Sequence, residues 1–170
     1  MEPSPAEVRK VLRALAETAA RLAAVTRGLD EGRLRRRPEA DSWSASEILA
    51  HLMACADVWG GSIVMMISAD TPRLRYVSPR SWIRKTGYLE EEFSELLKGF
   101  RTKRSELLKV LRALPTPGWS RGATFSGTTK GRDETIFSYA VRIAEHEVRH
   151  LGQIERAVAP GRNARAGKAR

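Results

Sequence analysis

The chain of 170 residues contains a single cysteine, Cys55, so it cannot form a disulfide within one molecule. No apolar run approaches the length of a membrane span, and the longest stretch, around residues 63–67, is far too short. The N-terminus lacks the basic and apolar regions of a secretory signal peptide. These absences predict a soluble protein of the reducing cytoplasm that does not use a membrane.

Acidic residues are in the minority, because 30 lysines and arginines face 20 aspartates and glutamates and give a net charge of +10. The segment after residue 159 is rich in glycine and alanine and carries no acid, and its basic residues are Arg162, Arg165, Lys168 and Arg170. We expect one globular domain over residues 1–159 and a disordered basic tail over residues 160–170. A basic surface attracts nucleic acids or small anions, and the charge alone does not separate these partners.

Apolar residues recur at helical spacing in four segments of the sequence. Two of the segments begin at capping boxes, Ser4 with Glu7 and Ser44 with Glu47. The second segment contains Gly60–Gly61, a pair that weakens or bends a helix. The four helices are expected over about residues 4–28, 44–69, 90–114 and 133–159. We predict an all-α fold, a four-helix bundle, with long connections at 71–89 and 116–132.

All three histidines of the chain lie on the apolar stripes of these helices. His146 and His150 are four residues apart, so both imidazoles lie on one face of the fourth helix, and His51 lies on the apolar face of the second. Neutral imidazoles are costly to bury without partners. We therefore predict one divalent metal ion held by His51, His146 and His150, with an open coordination position of the kind found in catalytic sites.

The positions of the histidines constrain the order of the helices. His51 is near the start of the second helix, and the other two histidines are in the second half of the fourth, so these helices must be antiparallel to share an ion. This predicts an up-down-down-up bundle with a long crossover between helices 2 and 3. The connection at 71–89 is long enough, because an extended residue covers up to about 3.3 Å and a helical one about 1.5 Å.

Basic residues in two connecting segments are expected around the end of the bundle that holds the histidines. This arrangement predicts a small-molecule substrate that is anionic or carries a thiolate. The residues expected at this mouth are Arg33, Arg35, Arg36, Arg37, Arg80, Arg84 and Lys85.

No general acid or base is assigned from the sequence. Glu147 follows His146, and we expect it on the exposed face, while Glu145 is spaced to pair with Arg149. Gln153 lies one turn beyond His150, close enough to hydrogen-bond to it. Cys55 lies one turn beyond His51, and we expect a small buried core residue there rather than a nucleophile.

Three motifs, Trp43-Ser44, Glu47–Leu52 and His146–Ile154, together resemble the DinB/YfiT-like metalloenzyme superfamily over about residues 5–158. The resemblance implies the up-down-down-up bundle, the three histidine ligands and a homodimer. Because relatives include thiol-dependent S-transferases and a mycothiol-dependent isomerase, it also implies a metal-dependent thiol S-transferase acting on small electrophilic or anionic compounds. A low-molecular-weight thiol would be its cofactor, and a metal-dependent hydrolase is the other enzyme class considered.

Zinc is the first choice for the metal, and nickel, iron or manganese also accept imidazole ligands. Two alternatives from other classes stay open. One is a stress-response protein that binds nucleic acid, although no nucleic-acid-binding motif is present. The other is a protein that binds metal without catalysis.

Overall fold

The computed structural model describes residues 2–127 and 132–159. Helices dominate it, and four long helical segments form the body of the molecule. The helices are α1 (Pro5–Val25), α2 (Glu31–Arg35), α3 (Ala45–Cys55), α4 (Gly61–Ser68), α5 (Pro79–Thr86), α6 (Phe93–Arg112) and α7 (Ile136–Val158). A π-helical turn, Ala56–Gly60, joins α3 to α4, and a 3₁₀ turn, Thr116–Ser120, follows α6. The strands are β1 (Arg73–Arg75), β2 (Gly122–Ser126) and β3 (Arg132–Thr135). The predicted basic tail lies outside the described residues.

Both predicted capping boxes are confirmed. The Ser44 hydroxyl accepts a hydrogen bond from the Glu47 amide at 3.2 Å, and the Ser44 amide donates to the Glu47 carboxylate at 2.8 Å. The reciprocal pair of bonds also starts α1. These bonds satisfy amide groups that a helix leaves unpaired at its first turn, so they fix where α3 begins and therefore where His51 lies.

The long second helix contains the irregularity expected from its glycines. Its π-helical turn ends at Gly60, and a π-turn inserts one residue into the helical repeat. Within this turn, the Asp57 carboxylate accepts hydrogen bonds from Trp82 Nε1 at 3.0 Å and the Tyr88 hydroxyl at 2.6 Å. It also pairs with Lys103 at 2.7 Å. Asp57 therefore ties the segment between α4 and α6 to the body of the bundle.

The all-α prediction is wrong in one respect, because both long connections contain strands. β1 pairs in parallel with β2, and β2 pairs antiparallel with β3, giving a small mixed sheet in the order β1-β2-β3. In β2, Ala123 and Phe125 are buried while Thr124 and Ser126 are exposed, which is the two-residue period of a half-buried strand. Phe125 stacks on Tyr139 of α7 at a ring distance of 5.1 Å. An alternation over five residues is too short to distinguish a strand from a loop in the sequence.

The start of the fourth helix is also corrected. We expected it near residue 133, but Arg132–Thr135 form β3, and α7 begins at Ile136. Thr135 caps α7 in a reciprocal pair of bonds with Ser138. Gly122 makes the adjacent strand pairing possible, since a Cβ atom there would lie 2.5 Å from the carbonyl oxygen of Glu134.

The apolar core consists of two clusters along the bundle. The first contains residues from the N-terminal halves of α1 and α7, from α4 and from the C-terminal half of α6. The second contains residues from the C-terminal halves of α1 and α7, from α3 and from the N-terminal half of α6. Buried polar side chains lie between the clusters on each long segment: Thr18, His51, Arg104 and Glu147.

Two of these polar residues form an ion pair in the interior. Arg104 of α6 and Glu147 of α7 are each 2% exposed, and a guanidinium nitrogen of Arg104 donates to Glu147 Oε1. The position of Glu147 corrects the expectation that it is exposed: α7 packs against α1, α3 and α4, so a wider face of it is buried than one apolar stripe.

One helical segment, Ala45–Ser68, is long and apolar enough by composition to cross a membrane, and 61% of its most apolar window is buried inside the molecule. The expectation of no membrane span was based on uninterrupted apolar runs, and polar residues such as Asp57 interrupt this segment. Its burial is typical of the central helix of a bundle.

We predict that Glu147→Ala destabilises the protein by about 3–5 kcal/mol, because the substitution leaves the Arg104 charge buried without its partner. Glu155→Ala is the matched control, since Glu155 pairs with Arg21 on the surface, where the two side chains are 37% and 55% exposed. It should cost less than about 1 kcal/mol. Urea unfolding of both variants measures the difference, and equal losses would contradict a buried charge pair.

Candidate metal centre

The three histidines meet between α3 and α7. His146 Nε2 lies 3.3 Å from His51 Nε2 and 3.1 Å from His150 Nε2. The rings of His51 and His150 are 4.9 Å apart between centroids. The geometry therefore brings together the three histidines predicted as ligands, although His51 and His146 are 95 residues apart in the chain.

The distances between these nitrogen atoms suit a shared ion. With zinc–nitrogen bonds of about 2.0–2.1 Å, two ligands of a tetrahedral site are about 3.3 Å apart. Hydrogen bonds alone leave the convergence poorly explained, because a neutral imidazole has one acceptor nitrogen and one donor nitrogen. His146 Nε2 lies within hydrogen-bond distance of Nε2 of both other rings, and lone pairs on these nitrogens would fit a divalent metal ion.

The opposite nitrogen of one ring is held in the orientation that a ligand requires. His150 Nδ1 donates to the Gln153 side-chain oxygen at 2.5 Å, which leaves the lone pair on Nε2. Gln153 therefore has the hydrogen-bonding role considered for it. Within residues 2–127 and 132–159, Nδ1 of His51 and Nδ1 of His146 are buried without a hydrogen-bond partner.

Cys55 is a ligand candidate that the sequence analysis missed. Its Sγ lies 3.6 Å from His51 Nε2. Ligand atoms of His51, Cys55 and His146 lie within 4.8 Å of one another and could hold a metal ion. Burial raises the pKa of the Cys55 thiol, and the charge of Arg104 opposes that rise. The i, i+4 spacing of His51 and Cys55 was the signal for this arrangement, because it places both donors on one helix face.

Burial keeps the histidines neutral. Desolvation lowers the pKa of His51 to about 4, with smaller effects from His150 and Arg80. Desolvation also lowers the pKa of His146 to about 3, followed by the charges of His150, His51 and Arg149. The pKa of His150 is lowered by burial as well, against the hydrogen bond to Gln153. Neutral imidazoles are the form that binds metals, so the site is prepared for an ion at neutral pH.

Aromatic side chains form the walls around the histidines. Trp59 meets the His146 ring edge to face, with 4.7 Å between ring centroids. Trp43 contacts His51 and lies parallel to His150, at ring distances of 5.4 and 6.4 Å. These contacts fix the imidazole orientations and exclude water from part of the site.

The histidines open into a cavity of about 390 Å³, which we call the inner cavity. It is bordered by Trp43, Trp59, Tyr76, Arg80 and Arg149 beside the histidines. A second, outer cavity of about 630 Å³ adjoins it and shares Trp43, Arg80, His150 and Gln153. Among the described residues, no aspartate or glutamate borders the inner cavity, whereas Glu39 and Asp41 border the outer one.

The expected basic mouth is present only in part. Of the residues predicted there, Arg80 borders the cavities. Arg33 donates to the carbonyl of Val158, Arg35 pairs with Glu31, and Arg37 pairs with Glu47, so these three charges support the fold instead. Arg36, Arg84 and Lys85 do not border either cavity. Arg149 and Arg156, which do border them, were not predicted, because helix spacing alone does not show which exposed face lies beside a cavity.

The carboxylates considered from the sequence have other partners. Glu47 remains in its capping box and in the pair with Arg37, and Asp57 binds the segment after α4. Within the part of the chain that the structure describes, Glu145 and Arg149 do not form the ion pair that their spacing allowed. Arg149 therefore faces the histidines without a carboxylate partner.

Comparison with known proteins supports both the fold and the family. The model of the DinB superfamily matches residues 14–154. Among solved structures, the chain is similar to YfiT from Bacillus subtilis, described as a probable metal-dependent hydrolase with an unusual four-helix bundle topology. The two are 17% identical, the match covers 91% of this chain and 87% of that one, and the TM-score is 0.80. At this identity the likeness shows the fold alone. No curated protein matches the chain.

We predict that the metal-free protein becomes less stable as the pH falls below 6.5. Above that value the histidines are neutral in both the folded and the unfolded chain and contribute nothing to the pH dependence. Below it the histidines of the unfolded chain bind protons. In the folded chain His51 stays neutral until the pH reaches about 4, and His146 until it reaches about 3. The urea midpoint should therefore decrease between pH 6.5 and 5, and His146→Gln should reduce the slope. An equal slope in the variant would show that the pKa of His146 is not depressed.

Proposed function

Since the chain belongs to the DinB superfamily, we propose that it is a metal-dependent enzyme whose divalent ion is held by His51, His146 and His150. The convergence of the three Nε2 atoms, with neighbouring distances of 3.1 and 3.3 Å, carries this proposal. Zinc is the proposed ion, since a site of three imidazoles suits it, and nickel, iron and manganese are the alternatives.

The proposed reaction is the transfer of a low-molecular-weight thiol to a small electrophilic or anionic compound. When bound, the ion supplies positive charge that lowers the pKa of a coordinated thiol or water. The thiolate sulfur attacks an electrophilic carbon, a carbon–sulfur bond forms, the leaving group departs with its electron pair, and the thiol proton passes to solvent.

The residues of the chain favour the thiol over water as the nucleophile. Hydrolysis benefits from a general base beside the attacking water, and no carboxylate of residues 2–127 and 132–159 borders the inner cavity. A thiolate needs no such base once its pKa is lowered. Arg80 and Arg149 also favour a negatively charged nucleophile beside the histidines. Hydrolysis is the second candidate, because the structurally similar bundle is described as a probable hydrolase.

The wider proposal is a cytoplasmic homodimer with the up-down-down-up topology. The order in which the long helices contribute to the two apolar clusters supports this topology, since α1 and α7 run from the first cluster to the second and the others run in the reverse direction. The groove between α1 and α7 supports a dimer, because the exposed Val148 lies there beside Phe137 and Val141. A small molecule, rather than nucleic acid, is the proposed partner.

The ligand set is tested by elemental analysis of purified variants. We expect about one ion per chain in the native protein and in Cys55→Ser, and none in the double variant His146→Ala, His150→Ala. Gln153→Ala should weaken metal affinity about 10–100-fold, because it releases the His150 ring. Equal metal content in the double variant and the native protein would refute the site. If Cys55→Ser loses the metal and His150→Ala retains it, the third ligand is the Cys55 thiolate and not His150.

The reaction is tested with metal-loaded protein, a chromogenic aryl chloride and glutathione, mycothiol or bacillithiol in turn. We expect one thiol to be consumed faster than in solution, and the acceleration to disappear after metal removal and in His51→Ala. Ester hydrolysis without thiol would favour the second candidate. Stoichiometric metal with neither activity would favour a metal-binding protein without catalysis.

A further inference from the structure

Two arginines approach the inner cavity from different parts of the fold. Arg80 comes from the first turn of α5, and Arg149 comes from α7, between two of the histidines. Both side chains therefore face the region where a molecule beside the histidines would lie. The cavity volume, about 390 Å³, is large enough for a small organic ligand.

Neither arginine is attached to the fold by an ion pair with a carboxylate among the described residues. Within residues 2–127 and 132–159, no carboxylate lies within 4.0 Å of Arg80 or Arg149, whereas six other arginines pair with one: Arg21, Arg35, Arg37, Arg104, Arg132 and Arg142. A guanidinium group offers a planar set of donors that matches a carboxylate or a phosphate. Acids border the neighbouring surfaces, Glu39 and Asp41 at the outer cavity and Glu7 and Glu145 at the groove between α1 and α7. Among the described residues none borders the inner cavity, so inside it the two guanidinium groups have no counter-charge.

The position of Arg80 is set by its surroundings. Its guanidinium carbon lies 5.9 Å from the centre of the Trp43 ring, a wall of the cavity, at a distance typical of a cation–π contact. The helix that carries it is attached to the bundle through Trp82, which donates to Asp57 at 3.0 Å. Arg80 is an exposed residue, and its contact with Trp43 and the attachment of its helix keep it beside the inner cavity.

Arg149 is fixed by the helix itself. It lies three residues after His146 and immediately before His150, so any arrangement that directs the histidines towards an ion also keeps this arginine next to them. A cleft with charges of one sign and low-polarity walls concentrates the field inside it. Trp43 and Trp59 provide such walls here.

We propose that the inner cavity is a receptor for an anionic group, a carboxylate or a phosphate, that pairs with Arg80 and Arg149 while the rest of the ligand lies towards the histidines. This rests on the proposed function, because it names the class of compound that the same site accepts. The guanidinium groups select the charge and orient the ligand, and the tryptophans border its apolar part.

Binding of benzoate, benzamide and inorganic phosphate tests the proposal, measured by tryptophan fluorescence and calorimetry on metal-free and zinc-loaded protein. Benzamide is the neutral match of benzoate. A charged hydrogen bond contributes enough to change affinity about tenfold or more. We therefore expect benzoate or phosphate to bind at least about tenfold tighter than benzamide to both forms of the protein.

The double variant Arg80→Gln, Arg149→Gln should weaken the binding of the preferred anion about 100-fold, with benzamide binding and zinc content unchanged. Arg84→Gln is the matched control, because Arg84 is an exposed arginine of the same helix that does not border the cavity. It should leave all affinities unchanged. Tighter binding of benzoate would identify the anionic group as a carboxylate, and tighter binding of phosphate would identify it as a phosphate.

Three results would overturn the receptor: equal affinity for benzoate, phosphate and benzamide, native anion affinity in the double variant, or an equal loss in Arg84→Gln. The metal-free titration separates this inference from the metal-dependent function. If the native protein binds no zinc, but the double variant binds the anion more weakly than the native protein does, the anion receptor is supported and the metal-dependent function is not. A protein that binds zinc but shows no dependence on the arginines retains the metal function and not the receptor.

Discussion

Polar side chains at the middle of an apolar bundle need partners, because an unpaired polar or charged group in a protein interior is costly. His51, Arg104 and Glu147 lie between the two apolar clusters, each less than one-tenth exposed. Arg104 and Glu147 meet this requirement in part by pairing with each other, since Arg104 Nε and Glu147 Oε2 have no hydrogen-bond partner among the described residues. The histidines do so only in part, since the buried Nδ1 atoms of His51 and His146 have no partner among the described residues. The same constraint thus gives one structural pair and one candidate site for the proposed ion.

The π-helical turn Ala56–Gly60 links the buried polar residues with the inner cavity beside them. The π-helical turn follows His51 and Cys55 directly and contains both Trp59, which packs on His146, and Asp57, which binds the crossing segment. A regular helix would rotate these side chains to other directions, because the turn adds one residue to the repeat. The irregularity therefore connects the interior of the bundle with the helix that carries Arg80.

Electrostatics link the ion and its proposed substrate. Desolvation keeps the imidazoles neutral, and the nearby arginines disfavour their protonation further. The arginines also repel a cation, and the lone pairs of the histidine nitrogens would offset this repulsion for the proposed ion. Once held, the ion and the arginines act in the same direction on a negatively charged ligand or a thiolate. This shared preference is the reason to consider the thiol reaction and the anion receptor as properties of one site.

Local spacing was enough to predict the helical body, two of its capping boxes and the three histidines as candidate ligands, because helix periodicity and capping depend on residues within a few positions of one another. It indicated the antiparallel arrangement of the histidine helices only through the assumption that the histidines meet. Other features are visible only in the folded chain: the mixed sheet, the burial of Glu147, the proximity of Cys55 to His51, and the positions of Arg80 and Arg149 beside the inner cavity. These features depend on pairing between strands of different connections and on which helix faces meet, and neither is encoded in local spacing.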